Sequence, residues 1–568
     1  MSKFVIYQVL PRLFGNYNST RKINGGIEEN GCGKFNSFTP KALKAIRDLG
    51  ATHIWYTGVL EHATQTDYSA YGILPDHPAV VKGKAGSPYA IKDYYDVDPD
   101  LAEDVPHRMQ EFEALVARTH KAGMKVIIDF VPNHVARQYH SDAKPEGVAD
   151  LGENDNPQWA FSPLNNFYYM PGESFAPSFD IQDYVEMPAK ATGNDVFSAR
   201  PSKNDWYETV KLNYGVFYTG GGEKQFYPTP DTWMKMRDIV LFWAAKGIDG
   251  FRCDMAEMVP VEFWEWMIPQ VKKAYPEIIF IAEVYQPALY DTYIKQGHFD
   301  YLYDKVGLYD TLRNITSKNH PVSGITACWQ SLNDLQDSML NFLENHDEQR
   351  IASGFFSGRG MCAQPAMIVA ATLTRSPVMI YAGQELGELG MDHEGFSGMD
   401  GRTTIFDYWT VPSIASWANE GKFDGQGLDD EQRELQEFYK RLLQITMRHK
   451  AITHGVMYDL EYAQNTAHFN SHEHFVYVRK HEDDLLLFVL NFDDKVANIH
   501  IHIPQEAFEH LQWTPGLKWN YVDLLQSEDK GTAVFAPNEE FAVTLPAWKG
   551  KIFKLTSCKT KQPKRKKN

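Results

Sequence analysis

The chain has 568 residues, 43% of them apolar and 23% charged, a balance that excludes disorder throughout and provides for about two to four compact units. Its net charge of −18 argues against nucleic acid as the main partner, because phosphates would be repelled. The five cysteines (Cys32, Cys253, Cys328, Cys362, Cys558) lie far apart with no CxxC spacing, so neither a disulfide framework nor a zinc site is expected. The start, "MSKFVIYQVLPRLFG", has a short apolar stretch soon broken by Pro11 and Arg12, unlike a signal peptide. No run reaches the roughly 18 apolar residues of a membrane span. The expected location is cytoplasmic, with no membrane partner.

Strand-like apolar runs recur at 4–10, 51–59, 124–131, 248–255, 278–285, 299–304, 338–347 and 377–383. Helix-like segments separate most of them. One begins at Thr39, a good N-cap, with Pro40 at the first helical position and Leu43, Ile46 and Leu49 at helical spacing before Gly50. Another, 231–246, sets Trp233, Met236, Val240 and Trp243 on one face and stops at Gly247. Eight strands alternating with helices predict an α/β fold, a closed (β/α)₈ (TIM) barrel, over 1–134 and 231–450. An open doubly wound sheet is the structural rival, but no GxGxxG follows an early strand to support its dinucleotide-binding form. Between strands three and four, 135–230 is rich in aromatics, glycine and proline, too long for a structureless loop, and is expected to be an inserted subdomain. From 455 to 558 the pattern turns β-like, as in "ANIHIHIP", and predicts a C-terminal antiparallel β-sandwich. The basic end, 559–568, is expected to be a disordered tail.

The fourth run, "GIDGFRCDMAEM", carries Arg252 and Asp254 where a buried strand should be apolar. Strand alternation puts these two on one face, with Phe251, Cys253 and Met255 on the other. Neighbouring strands end in the same way: Asp129, Asn133 and His134 close "DFVPNH", Glu283 closes "IAEVY", and His346 and Asp347 close "LENHD". Polar side chains gathered from four strand ends at the C-terminal mouth of a barrel point to a site rather than to one structural ion pair.

The segments "DFVPNH", "GFRCDMAE", "AEVY" and "FLENHD", in that order, resemble the α-amylase family of retaining glycoside hydrolases, and "VKLNY" (210–214) and "GQE" (383–385) resemble its shorter motifs. The resemblance implies catalytic roles for Asp254 as nucleophile, Glu283 as general acid and then base, and Asp347 as the carboxylate that grips sugar hydroxyls. It implies substrate-side roles for Arg252, which would keep Asp254 ionised, and for the imidazoles of His134 and His346. Tyr89 resembles the aromatic that stacks on the sugar, and Arg402 either binds substrate or orders its loop. Asp129 is expected to buttress Arg252. The expected partner is an α-glucan or malto-oligosaccharide, cleaved through a glycosyl-enzyme. A glucanotransferase or isomerase using the same intermediate, and an inactive carbohydrate-binding scaffold, are the alternatives.

No cofactor is expected. The family often binds structural calcium near Asn133, with a histidine at the end of the strand-four motif; Met258 stands there instead, and a thioether is a poor ligand for a hard cation. His500, His502 and "HEH" (472–474) lack a third placed ligand, so no metal is assigned.

Overall fold

The computed structural model describes residues 3–464 and 467–558; the expected tail at 559–568 lies outside the described residues. Eight parallel strands close into a barrel. They are β1 (Val5–Val9), β2 (His53–Tyr56), β3 (Lys125–Phe130), β4 (Gly250–Cys253), β5 (Ile279–Ala282), β6 (Tyr301–Tyr303), β7 (Met339–Phe342) and β8 (Val378–Tyr381), with β8 pairing back onto β1. Each lies inside one of the eight apolar runs. Alternation sorts their side chains: Ile6, Trp55, Ile127, Ile281, Leu340 and Met379 fill the lumen, while Val5, Ile54, Val126, Phe251 and Val378 face the surrounding helices.

Those helices form where local chemistry directs them. The helix Pro40–Leu49 is capped by the Thr39 side chain, which accepts from the Ala42 N–H, and it buries Leu43, Ile46 and Leu49. Gly50, at φ 117°, ends it in a conformation that favours glycine. The helix Asp231–Ala245 buries Trp233, Met236, Val240 and Trp243. Among the described residues no helix is long and apolar enough to cross a membrane.

The stretch between β3 and β4 is held by short antiparallel pairs rather than long elements. His134–Ala136 pairs with Thr209–Lys211, and Tyr169–Met170 with Ala189–Lys190. Phe167, Tyr168, Phe175 and Tyr184 are buried within it.

After the helix Asp430–Arg448, a six-stranded antiparallel sheet is built from Val456–Asp459, His474–His481, Asp484–Asn491, Gly550–Ser557, Lys518–Asp523 and Lys530–Val534. The run "LLLFVL" is apolar on both faces because both are covered. Leu486, Phe488 and Leu490 join the barrel core, whereas Leu485, Leu487 and Val489 pack on Ile499, Ile501 and Val543. That second layer is only a two-stranded ribbon, Ala497–His502 with Glu540–Leu545, so the sandwich is lopsided. Arg479 pins the sheet to the barrel side by donating to the carbonyls of Leu373, Ala451, Ile452 and Gly455.

Candidate active site

Register places the chemistry. Arg252 on β4 lies opposite Asp129 on β3 and Ile281 on β5, so its side chain enters the top of the lumen. Asp254 and Glu283 each follow the last residue of their strand directly. The two strand tips are stitched together, because the Glu283 N–H donates to the Cys253 carbonyl at 3.1 Å. Met255, just after Asp254, adopts φ 42°, unusual for a non-glycine residue, and this turn aims its N–H at Glu283 Oε2, 2.7 Å away.

Arg252 is the hub, 1% exposed. Its Nη1 donates to Asp254 Oδ1 at 2.7 Å and lies 3.6 Å from Asp129 Oδ1; its Nε donates to the Tyr303 hydroxyl at 3.1 Å. Nη2 is 2.9 Å from Glu283 Oε1, yet it makes no hydrogen bond of acceptable geometry, so this contact is an ion pair only. The rings of Trp55, Tyr89 and Tyr303 lie 5.3–5.4 Å from the guanidinium carbon and supply cation–π contacts in place of water. Burial alone would lower the Arg252 pKa, but Glu283, the Tyr303 and Tyr89 hydroxyls and Asp254 outweigh it and hold the guanidinium charged.

The carboxyl groups differ in their surroundings. Burial pushes the Asp254 carboxyl well above the usual range, Arg252 opposes that, and Glu283 adds to it. Glu283 accepts from Tyr285 OH at 2.6 Å as well as from the Met255 N–H, so donors already occupy both of its oxygens. Asp347 keeps 30% of its side chain exposed, with Oδ2 3.0 Å from His346 Nε2. Burial works against its ionisation, but His346, Arg252 and Arg402 prevail and bring it below the ordinary carboxyl value.

Tyr89, His134, Asp254, Glu283 and Asp347 line one cavity of about 320 Å³ at the barrel mouth. A roomier hollow of about 460 Å³ beside the β8 loop, touching Glu388, Ser413 and Glu431, does not reach these strand tips. Arg252 and His346 stand behind the lining. His346 is 1% exposed, set by Gln8 at 2.8 Å and by the Tyr89 hydroxyl at 2.6 Å, with the Tyr89 ring stacked on it at 5.1 Å. Asp129 does brace Arg252, and accepts from Trp55 Nε1 at 3.1 Å and Gly58 N at 3.2 Å. Burial and the charges of Lys211 and Lys82 hold His134 neutral, its pKa lowered to about 3. Arg402 is also outside the lining: its guanidinium lies over Phe396, 5.1 Å from the ring centre, and Phe396 in turn walls the cavity.

Sequence reasoning missed several wall residues. Trp206, Phe396 and Phe406 supply aromatic faces, and Lys82 pairs with Glu208 at 3.0 Å between the β2–β3 excursion and the insert. None carries a strand-end signature. Tyr285, inside "AEVY", was in view, but nothing in its spacing announces a hydrogen bond two residues back.

The calcium position also has a tenant. Asn133 Oδ1, Asp195 Oδ1 and the Met258 carbonyl converge on the Nζ of Lys211, at 2.7 Å for Asp195 and 3.2 Å for Met258. The residues therefore do not fit a divalent ion, and for a reason other than the expected one. The backbone oxygen of Met258 faces the point, so its thioether is beside the question; the ammonium fills the place.

A family model described as the α-amylase catalytic domain matches residues 8–483. The chain belongs to the α-amylase family. Among its glycosidase relatives, Alpha-amylase 3 of Dictyoglomus thermophilum is 24% identical over 431 residues, 70% of this chain and 73% of that one. Neopullulanase 2 of Thermoactinomyces vulgaris is 22% identical over 562 residues, 96% of this chain and 77% of that one. The solved α-amylase of Geobacillus thermoleovorans, complexed with acarbose, superposes with a TM-score of 0.64 at 18% identity, covering 98% of this chain and 99% of that one. At that identity the likeness is one of fold.

Proposed function

We propose that this family member cleaves α-glucosidic bonds of starch-derived oligosaccharides by a retaining double displacement. One observation carries the reading: Asp254 and Glu283 extend from adjacent strand tips, share the guanidinium of Arg252, and open on one cavity with Asp347. Neighbouring strands run about 4.7–4.9 Å apart, close to the roughly 5–5.5 Å separation of the two carboxyl groups in retaining enzymes.

Asp254 attacks the anomeric carbon. Arg252 supports it by favouring the ionised form against the cost of burial. Glu283 delivers a proton to the departing oxygen, then takes one from the water that opens the glycosyl-enzyme. One donor on each oxygen fixes the plane of the Glu283 carboxyl and still leaves each oxygen a second lone pair to carry the proton it delivers. Asp347, the most exposed of the three carboxylates, grips sugar hydroxyls. Tyr89, Trp206, Phe396 and Phe406 offer apolar faces to the ring. A cavity of about 320 Å³ sits at the low end of the roughly 300–1,000 Å³ typical of small-ligand sites, which suits a short stretch of glycan.

Digestion of maltoheptaose, followed by proton NMR of the first-formed product, tests this. The α-anomer should appear first, with products shorter than the substrate. A β-anomer first, or no cleavage, overturns the reading; chains longer than the substrate would show that an acceptor sugar replaces water.

A further inference from the structure

We propose that Lys211 is a built-in cation that does the work of a structural metal at the joint between barrel and insert, leaving this enzyme independent of calcium. An ammonium has three N–H bonds, and Lys211 faces three acceptors: Asn133 Oδ1, Asp195 Oδ1 and the Met258 carbonyl. The count closes with no donor left over. The charges also match, since one carboxylate faces one ammonium. Calcium would call for about six to eight oxygens, and no divalent ion can enter while a buried cation holds the same three.

The lysine is fixed where it stands. Its side chain is 2% exposed, and its Nζ lies 5.5 Å from the centre of the Tyr218 ring. Backbone pairing of His134 with Lys211 and of Ala136 with Thr209 sets its height against the end of β3. The three acceptors come from separate parts of the chain. Asn133 follows β3 and precedes His134, Asp195 belongs to the insert, and Met258 ends the turn that begins with Asp254 and Met255. One ammonium thus ties the insert to the turn whose N–H holds Glu283. The Asn133 amide adds a second tie by donating to the Gly193 carbonyl at 2.8 Å.

The test reads metal content and thermal stability, so it stands apart from the proposed reaction. The purified wild-type chain should carry substoichiometric calcium by elemental mass spectrometry. Its thermal midpoint should be the same in excess EDTA as in excess calcium. Lys211→Met, which keeps the length and removes the charge, should lower the midpoint by about 2–4 °C, because it leaves the buried Asn133 oxygen without its donor and the exposed Asp195 carboxylate without its counter-ion. Stoichiometric calcium in the wild type, a midpoint that falls in EDTA and returns with calcium, or a Lys211→Met variant as stable as the wild type would each overturn the proposal. If Lys211→Met does not fold, the two wild-type measurements still decide.

Discussion

Arg252 and Lys211 are both buried cations near the barrel mouth, and the chain uses them differently. Arg252 presents a planar fork to two carboxylates on neighbouring strand tips, with a third, Asp129, behind it. Lys211 presents a point charge to three oxygens, only one of which belongs to an acid. A fork fixes the orientation of groups that must react; an ammonium closes a joint between segments. The first arrangement concentrates like charges, and Glu283 and Asp129 raise the Asp254 pKa against the pull of Arg252. The second is neutral and complete.

Substitutions can break that contrast, beginning with the largest effect. Glu283→Gln should lower kcat on maltoheptaose by about 10²–10⁴-fold with little change in thermal midpoint, measured by initial rates and calorimetry. Arg252→Gln should cost on the order of 10²-fold in kcat/KM and lower the midpoint as well, because it strands buried carboxylates. It also carries a sign. Arg252 opposes the rise in the Asp254 pKa, so its loss raises that pKa further and moves the acid limb of the kcat/KM profile to higher pH. A limb that stays in place contradicts the coupling.

Phe488→Ala sharpens the comparison from outside. Phe488 stacks on Tyr477 at 4.4 Å in the face of the C-terminal sheet that meets the barrel. Its truncation should cost about 3–5 kcal/mol in denaturant unfolding and leave kcat at moderate temperature unchanged. The smallest signal belongs to His134. Its folded pKa of about 3 lies below the unfolded value, so its imidazole should show no NMR titration between pH 5 and 8. Below about pH 6.5 the unfolded chain takes a proton that the folded site refuses, so the stability contributed by the neutral ring is lost as pH falls from there towards 3. A midpoint near 6.5 contradicts the assignment.

The barrel was legible because buried parallel strands read as apolar runs, and polar residues at their ends stand out against that background. Arg252, Asp254, Glu283 and Asp347 are such residues, and the fold brings them together. What stayed hidden depends on groups without a sequence signature. The oxygen that Met258 contributes belongs to its backbone, Asp195 lies in an insert of short pairs, and Lys82 meets Glu208 only through the course of two excursions. The width of the second layer of the C-terminal sandwich was hidden for a related reason. "ANIHIHIP" alternates as a strand in a wide sheet would, and alternation does not say how many strands lie beside it.

The proposed reaction turns on a covalent bond between sugar and Asp254. Reaction with a 5-fluoro α-glucosyl fluoride, followed by intact mass and peptide mapping, examines it directly. One glucosyl adduct per chain on the peptide containing Asp254, absent in Asp254→Asn, is the predicted result. An adduct on another carboxylate, or rapid turnover of maltoheptaose by Asp254→Asn, would contradict it.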